Sequence, residues 1–173
     1  MQNNQKLERE TLLNNMVIQT KQGDMVLEIG PGVMRHPCAT IAIDKNPLAQ
    51  CDIVRDVAHR GIPFTEGTFD IVMCFDVIEH IERYEDLIFM INEIWRVLKP
   101  GGMWYFTTPD GVEGLQHFTH HRFFFRNGFN YLGKPPDKTW ENMRKADGID
   151  ALFEIDFSSE VPRVLEGRFK AIK

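Results

Sequence analysis

Five short apolar runs, each closed at its C-terminal end by an acidic residue or a turn, constrain the fold of this chain more than any other feature. They are residues 25–29 before Gly30-Pro31-Gly32, 40–43 before Asp44, 53–54 before Arg55-Asp56, 69–75 before Asp76, and 103–107 before Pro109-Asp110-Gly111. Short runs of this kind read as strands buried on both faces rather than as alternating, half-solvated ones. Between the fourth and fifth, Leu87, Ile88, Ile91, Ile94, Trp95 and Leu98 recur at spacings of three and four, which predicts a helix with one broad apolar face. Lys99-Pro100-Gly101-Gly102 ends it, with a cation in the last turn and breakers behind. Strands alternating with crossovers predict an α/β fold: a doubly wound, mostly parallel sheet covered on both faces.

The tail adds two strand-like runs, 152–157 and 167–172, expected to form an antiparallel pair at the sheet edge and to bring the sheet to seven strands. At the other end, Leu7, Leu12, Leu13, Met16 and Val17 sit among polar residues in a loosely one-faced pattern, which predicts a helix within 1–22 that caps the fold or its ligand. With 173 residues the chain has the size of a single domain. Its expected parts are that helix, a core over 25–109, an insertion or lid over 112–150 rich in aromatics, His and Arg, and closing strands over 152–172.

Composition excludes partners more than it selects them. A net charge of -5 provides no general positive field for nucleic acid or an anionic membrane. Cys38, Cys51 and Cys74 form no C-x-x-C pair and no zinc-finger array, so they read as reduced thiols of an intracellular, cytoplasmic protein. The first residues lack a basic start followed by an apolar stretch, and no window approaches the roughly 18 apolar residues of a spanning helix.

The loop after the first core strand carries the main chemical signal. Gly30 and Gly32 let backbone approach a ligand at the carboxyl end of the sheet, where open α/β folds bind their ligands. Arg35 stands where the dinucleotide pattern G-x-G-x-x-G requires its third glycine, and Pro37 shortens any helix behind it, so a nicotinamide oxidoreductase is the weaker reading. No G-x-x-x-x-G-K-[ST] occurs. Asp44, at the end of the second strand, is placed to accept both hydroxyls of a ribose, with a cap before Asn46-Pro47 as its alternative role.

From residue 25 to 109 the chain resembles the class I S-adenosylmethionine-dependent methyltransferases, which have a Rossmann-like fold. VLEIGPG is similar to the family's first motif, IAID to its second-strand acid, RDVAHRGIPF to the third-strand segment, and FDIVMCFDVIEHI with EIWRVLKPGGMWYFTTP to the fourth strand, the next helix and the fifth strand. The resemblance implies S-adenosylmethionine as cofactor. By the same resemblance Glu28, Gly30 and Gly32 line its methionine part, Asp44 holds the ribose, Asp56 and the backbone of Val57 meet the adenine, and Asp76 borders the reaction centre. A sulfonium beside Glu28, Asp76 and Glu79 is electrostatically sensible.

The departures concern length. Only 15 residues separate Glu28 from Asp44 and the next interval is similarly short, so the first crossover helices are expected to be trimmed to a turn or loop. One face is then bare, or is covered by the N-terminal segment or a partner chain. Methyl transfer from a sulfonium is a direct displacement that needs few catalytic side chains; the candidates are His80 and His117. His117, His120 and His121 with Asp110 or Glu113 lack the H-E-x-x-H form, and no metal is expected there. Phe118, Phe123, Phe124, Phe125, Phe129 and Tyr131, interleaved with Arg122 and Arg126, could stack on RNA bases, but the acidic total favours a hydrophobic lid or a homodimer surface. Cys74-Phe75-Asp76-Val77 lacks the signatures of DNA methyltransferases at this strand. The expected activity is methyl transfer to a small molecule; the alternative is a silent cofactor-binding regulatory or assembly subunit.

Overall fold

The computed structural model describes residues 9–13, 16–158 and 163–173. Its main sheet contains β3 (Val26–Ile29), β4 (Ile41–Asp44), β5 (Ile53–Val54), β6 (Phe69–Phe75), β7 (Leu98–Pro109), β8 (Phe153–Ser158) and β9 (Val164–Ala171), in the spatial order β5-β4-β3-β6-β7-β9-β8. The first five are parallel and β9 runs antiparallel to both β7 and β8, as the sequence predicts. The strand order reverses between β3 and β6, which creates the switch point where such sheets bind ligands.

The connections over 30–40 and 45–52 contain turns and no helix. The third crossover holds only α1 (Val57–Arg60), whose first turn is capped by Asp56 accepting the Ala58 N–H at 3.1 Å. α2 (Tyr84–Val97) is the full-length crossover and buries Leu87, Ile88, Met90, Ile91, Ile94 and Val97 against the sheet. The main core lies on this face, where Trp104, Phe106, Phe153 and Phe169 are fully buried and interlock, Phe169 standing edge-on to Trp104 and Phe106 and the other pairs tilted. Strand β7 begins directly after α2 rather than at Met103. Pro100 cannot continue the helix, and Gly101, at φ +76°, and the crowded Gly102 absorb an irregularity opposite residues 69–71.

The N-terminal helix is not what forms. β1 (Arg9–Leu13) and β2 (Met16–Thr20) pair as an antiparallel hairpin with Leu13 opposite Met16; residues 1–8 and Asn14-Asn15 lie outside the described residues. The apolar residues sustain too few turns for a stable helix, whereas β-branched Thr11, Val17, Ile18 and Thr20 suit strands. Ile18 is fully buried with Val26, Ile71, Met73 and Tyr105 on the second face of the sheet, and the Gln19 backbone meets the Tyr105 hydroxyl. The hairpin thus covers part of the face that the missing helices leave open.

Glu93 links α2 to the segment after α1, accepting the Ile62 N–H at 2.8 Å and the Arg96 guanidinium at 2.6 and 2.7 Å. The Arg96 hydrogen bond, aided by that of Ile62 and by the Arg96 charge, outweighs burial and holds the Glu93 carboxyl below its ordinary value. A depressed folded-state value stabilises above the unfolded pKa and is lost as pH falls through the folded one. Glu93→Gln should therefore lower stability by roughly 1.5 kcal/mol at pH 7, and urea unfolding should show the gap to wild type narrowing under acid.

Candidate active site

A cleft of about 430 Å³ opens at the carboxyl ends of β3, β4, β5 and β6, at the switch point. Gly30, Asp44, Asp56, Val57, Asp76 and His80 all line it, so six positions singled out from sequence converge on one cavity. Gly30 is at φ +74°, and a Cβ there would lie 2.6 Å from Cγ2 of Val77. Only glycine lets the β3 loop and the tip of β6 approach this closely.

Asp44 is nearly buried and accepts the Gly32 N–H at 3.1 Å and the Asn46 N–H at 2.8 Å, which fixes its carboxylate at the cleft wall. Asp56 caps α1 and pairs with His59 at 2.9 Å while also facing the cleft. Asp76, at φ +52°, accepts the Thr107 hydroxyl at 2.9 Å and donates its own N–H to the Thr107 carbonyl at 3.0 Å. A non-glycine residue held in the left-handed region by its neighbours is a mark of functional sites. The lining sets three carboxylates, Asp44, Asp56 and Asp76, against the two cations Lys45 and Arg55.

Three predicted residues lie elsewhere. Glu28 does not line the cleft: it is buried, its Oε2 accepts the His36 N–H at 2.8 Å, and burial raises its pKa. Residues alternate along β3, so Leu27 and Ile29 join the main core while Val26 and Glu28 point to the other face. Gly32 acts from behind, through its N–H to Asp44. His117 is outside the lining and accepts from the Thr119 N–H at 3.4 Å.

Thr119 and His121 border the cleft opposite the sheet. They belong to a strap anchored on the loop after β6: the His121 N–H donates to the Glu79 carbonyl at 2.8 Å, and Arg122 donates to the Ile81 and Glu82 carbonyls at 3.0 and 2.9 Å. The rest of 112–150 is not all lid, since Phe129, Leu132 and Ile149 are buried in the main core, and Phe124 and Tyr131 pack against it. His80 is stacked edge-on to His120 at 4.8 Å between ring centroids, and burial lowers its pKa. Glu79 is fully buried, and burial together with the Asp76 charge pushes its carboxyl up to about 7. Lys45, Arg55, Met90 and Thr119 are cleft residues that the sequence does not single out, and it raises His121 only as a candidate metal ligand; for Lys45 and Arg55, their place just past a strand end is the available signal.

Residues 27–106 match the family model described as a methyltransferase domain. The match spans just under half of the chain and agrees with its resemblance to the class I S-adenosylmethionine-dependent methyltransferases. S-adenosylmethionine is the cofactor that this resemblance implies. No curated protein matches the chain. Among solved structures, the chain is similar to an S-adenosylmethionine-dependent methyltransferase from Thermotoga maritima (16% identity, 85% of this chain and 82% of that chain, TM-score 0.57). Another from Archaeoglobus fulgidus has 15% identity over 85% and 86% of the two chains and a TM-score of 0.56. A third similar chain belongs to a Haloferax volcanii complex of the Trm112 methyltransferase activator with a proposed methyltransferase (14%, 87% and 83%, 0.58). At these identities the likeness shows the fold.

The cleft fits S-adenosylmethionine. Its volume lies within the roughly 300–1,000 Å³ of small-molecule sites, its glycine permits backbone approach, and its carboxylates suit a cation. No helix among the described residues is long and apolar enough to cross a membrane.

Proposed function

We propose that the domain methylates a small molecule that enters beside His80, under the strap of Thr119 and His121. The observation that carries this reading is the convergence of Gly30, Asp44, Asp56, Val57 and Asp76 on one acidic cleft at the switch point. In this reading Asp44 accepts the ribose hydroxyls, with Gly32 and Asn46 holding its two oxygens in place. Asp56 and the Val57 backbone meet the adenine, and Gly30 and Asp76 border the methionine end. Glu28 acts at one remove, by fixing the His36 backbone.

Bound S-adenosylmethionine supplies a methyl group on a sulfonium that an acceptor lone pair displaces directly. The chain's task is then to align the acceptor and exclude water, and no obligatory proton transfer is assigned to a side chain. Asp76 lies against the positive end and the strap narrows the approach, which favours compact acceptors. His117 serves as a positioning residue for Thr119. The three free thiols support a cytoplasmic setting.

A specific observation favours a second reading, in which a partner completes the domain. Val33 and Met34, each 78% exposed, and Leu48, 86% exposed, sit on the connections that lack crossover helices. A similar chain was solved with an activator, and an assembly subunit would use such a surface. Transfer of labelled methyl from S-adenosylmethionine, assayed against metabolites, lysate proteins and nucleic acids, separates these. Labelled small molecules are expected. Label confined to protein or nucleic acid would refute the acceptor class, and tight cofactor binding without any transfer would favour the assembly reading.

A further inference from the structure

Glu79, His80 and His120 each bring one ligand atom within 4.8 Å of the others. This differs from the His117, His120, His121 and acidic set considered from sequence, because the strap lays His120 against the loop after β6. Glu79 is 0% exposed, and its carboxyl has only its own N–H and the Thr108 hydroxyl close by, neither in full hydrogen-bond geometry. A buried carboxyl in that condition is expensive unless something else compensates it.

The two imidazoles are arranged to offer lone pairs. His80 Nδ1 meets the Thr119 carbonyl and His120 Nδ1 the Gly114 carbonyl, both at 3.0 Å. A carbonyl only accepts, so both rings carry their proton on Nδ1 and leave Nε2 free. Backbone carbonyls fixing the far nitrogen are the usual outer support of metal-binding histidines. His117 has the opposite arrangement, since its Nδ1 accepts the Thr119 N–H and its proton then sits on Nε2.

We propose that Glu79, His80 and His120 bind a divalent first-row transition ion at the mouth of the cofactor cleft. Two imidazoles and one carboxylate suit zinc, manganese or iron(II) and leave coordination positions open. Bonds of roughly 2.1 Å place tetrahedral ligands roughly 3.4 Å apart, so the three side chains must draw together slightly as the ion enters. The ion would pin the strap to the β6 loop, and its open positions would face the space beside His80.

The proposal is independent of methyl transfer and is tested without it. Chelator-treated full-length protein is titrated with ZnCl2 by calorimetry, and with Co2+ followed by visible absorption. One equivalent at micromolar affinity or tighter is expected. His120→Ala and Glu79→Gln should each weaken zinc by at least about tenfold and remove the cobalt bands, whereas Glu154→Gln, at an exposed carboxylate on β8 paired with Lys170, should leave both unchanged. Circular dichroism and S-adenosylhomocysteine affinity of the same variants show that they are folded. Affinity in the millimolar range, or zinc binding that neither His120→Ala nor Glu79→Gln alters, overturns the proposal.

Discussion

Asp44→Ala should weaken S-adenosylhomocysteine binding by roughly 10- to 100-fold, read by calorimetry. Hydrogen bonds to a charged group are worth about 1.5–3 kcal/mol, and each 1.4 kcal/mol is tenfold in affinity. The carboxylate is positioned in advance, because the Gly32 and Asn46 N–H groups hold one oxygen each at 3.1 and 2.8 Å. Its removal therefore also releases the two loops that frame the cleft. Asp44→Asn, which keeps the shape and one acceptor, should fall between the two. Unchanged affinity in Asp44→Ala would place the ribose elsewhere.

The second large effect is expected at Gly30. An alanine there meets two obstacles: φ of +74°, and a Cβ only 2.6 Å from Cγ2 of Val77. Left-handed strain and overpacking each add roughly 1–3 kcal/mol. Relief requires Val77 to move, and Val77 follows Asp76, whose own φ of +52° is held by Thr107. Gly30→Ala should thus lose stability and cofactor affinity together. Gly32→Ala is the discriminating control. Gly32 has φ of +57°, and a Cβ added there would meet nothing within 4 Å, so it carries the strain without the clash and should lose stability by about half as much in urea unfolding.

The sheet and the cleft are legible in the sequence because strand ends carry their chemistry with them. Asp44, Asp56 and Asp76 each follow an apolar run, and parallel strands bring all such ends to one edge whatever the crossovers do. Glu28 departs from its expected place through an equally simple regularity. Two-residue alternation sends it to the face of Val26, away from the cleft. The N-terminal hairpin escapes a reading by periodicity because Leu12, Leu13, Met16 and Val17 satisfy a helical spacing over barely two turns, a length at which strand propensity decides instead.

The histidine grouping has no signature in the sequence at all. His80 and His120 meet through the course of an irregular strap, fixed by single hydrogen bonds such as His121 to Glu79 at 2.8 Å and Arg122 to Ile81 at 3.0 Å. No periodicity encodes such a path. Chain length, in contrast, has a structural explanation: the trimmed crossovers are partly replaced by a hairpin that buries Ile18 on the second face, and the loops left behind expose Val33, Met34 and Leu48.

The most direct measurement is a calorimetric titration of the whole chain with S-adenosylhomocysteine and, separately, with NADH. One equivalent of S-adenosylhomocysteine bound, with NADH silent and the affinity reduced in Asp44→Ala, is the expected result. NADH binding in the absence of S-adenosylhomocysteine binding would contradict it.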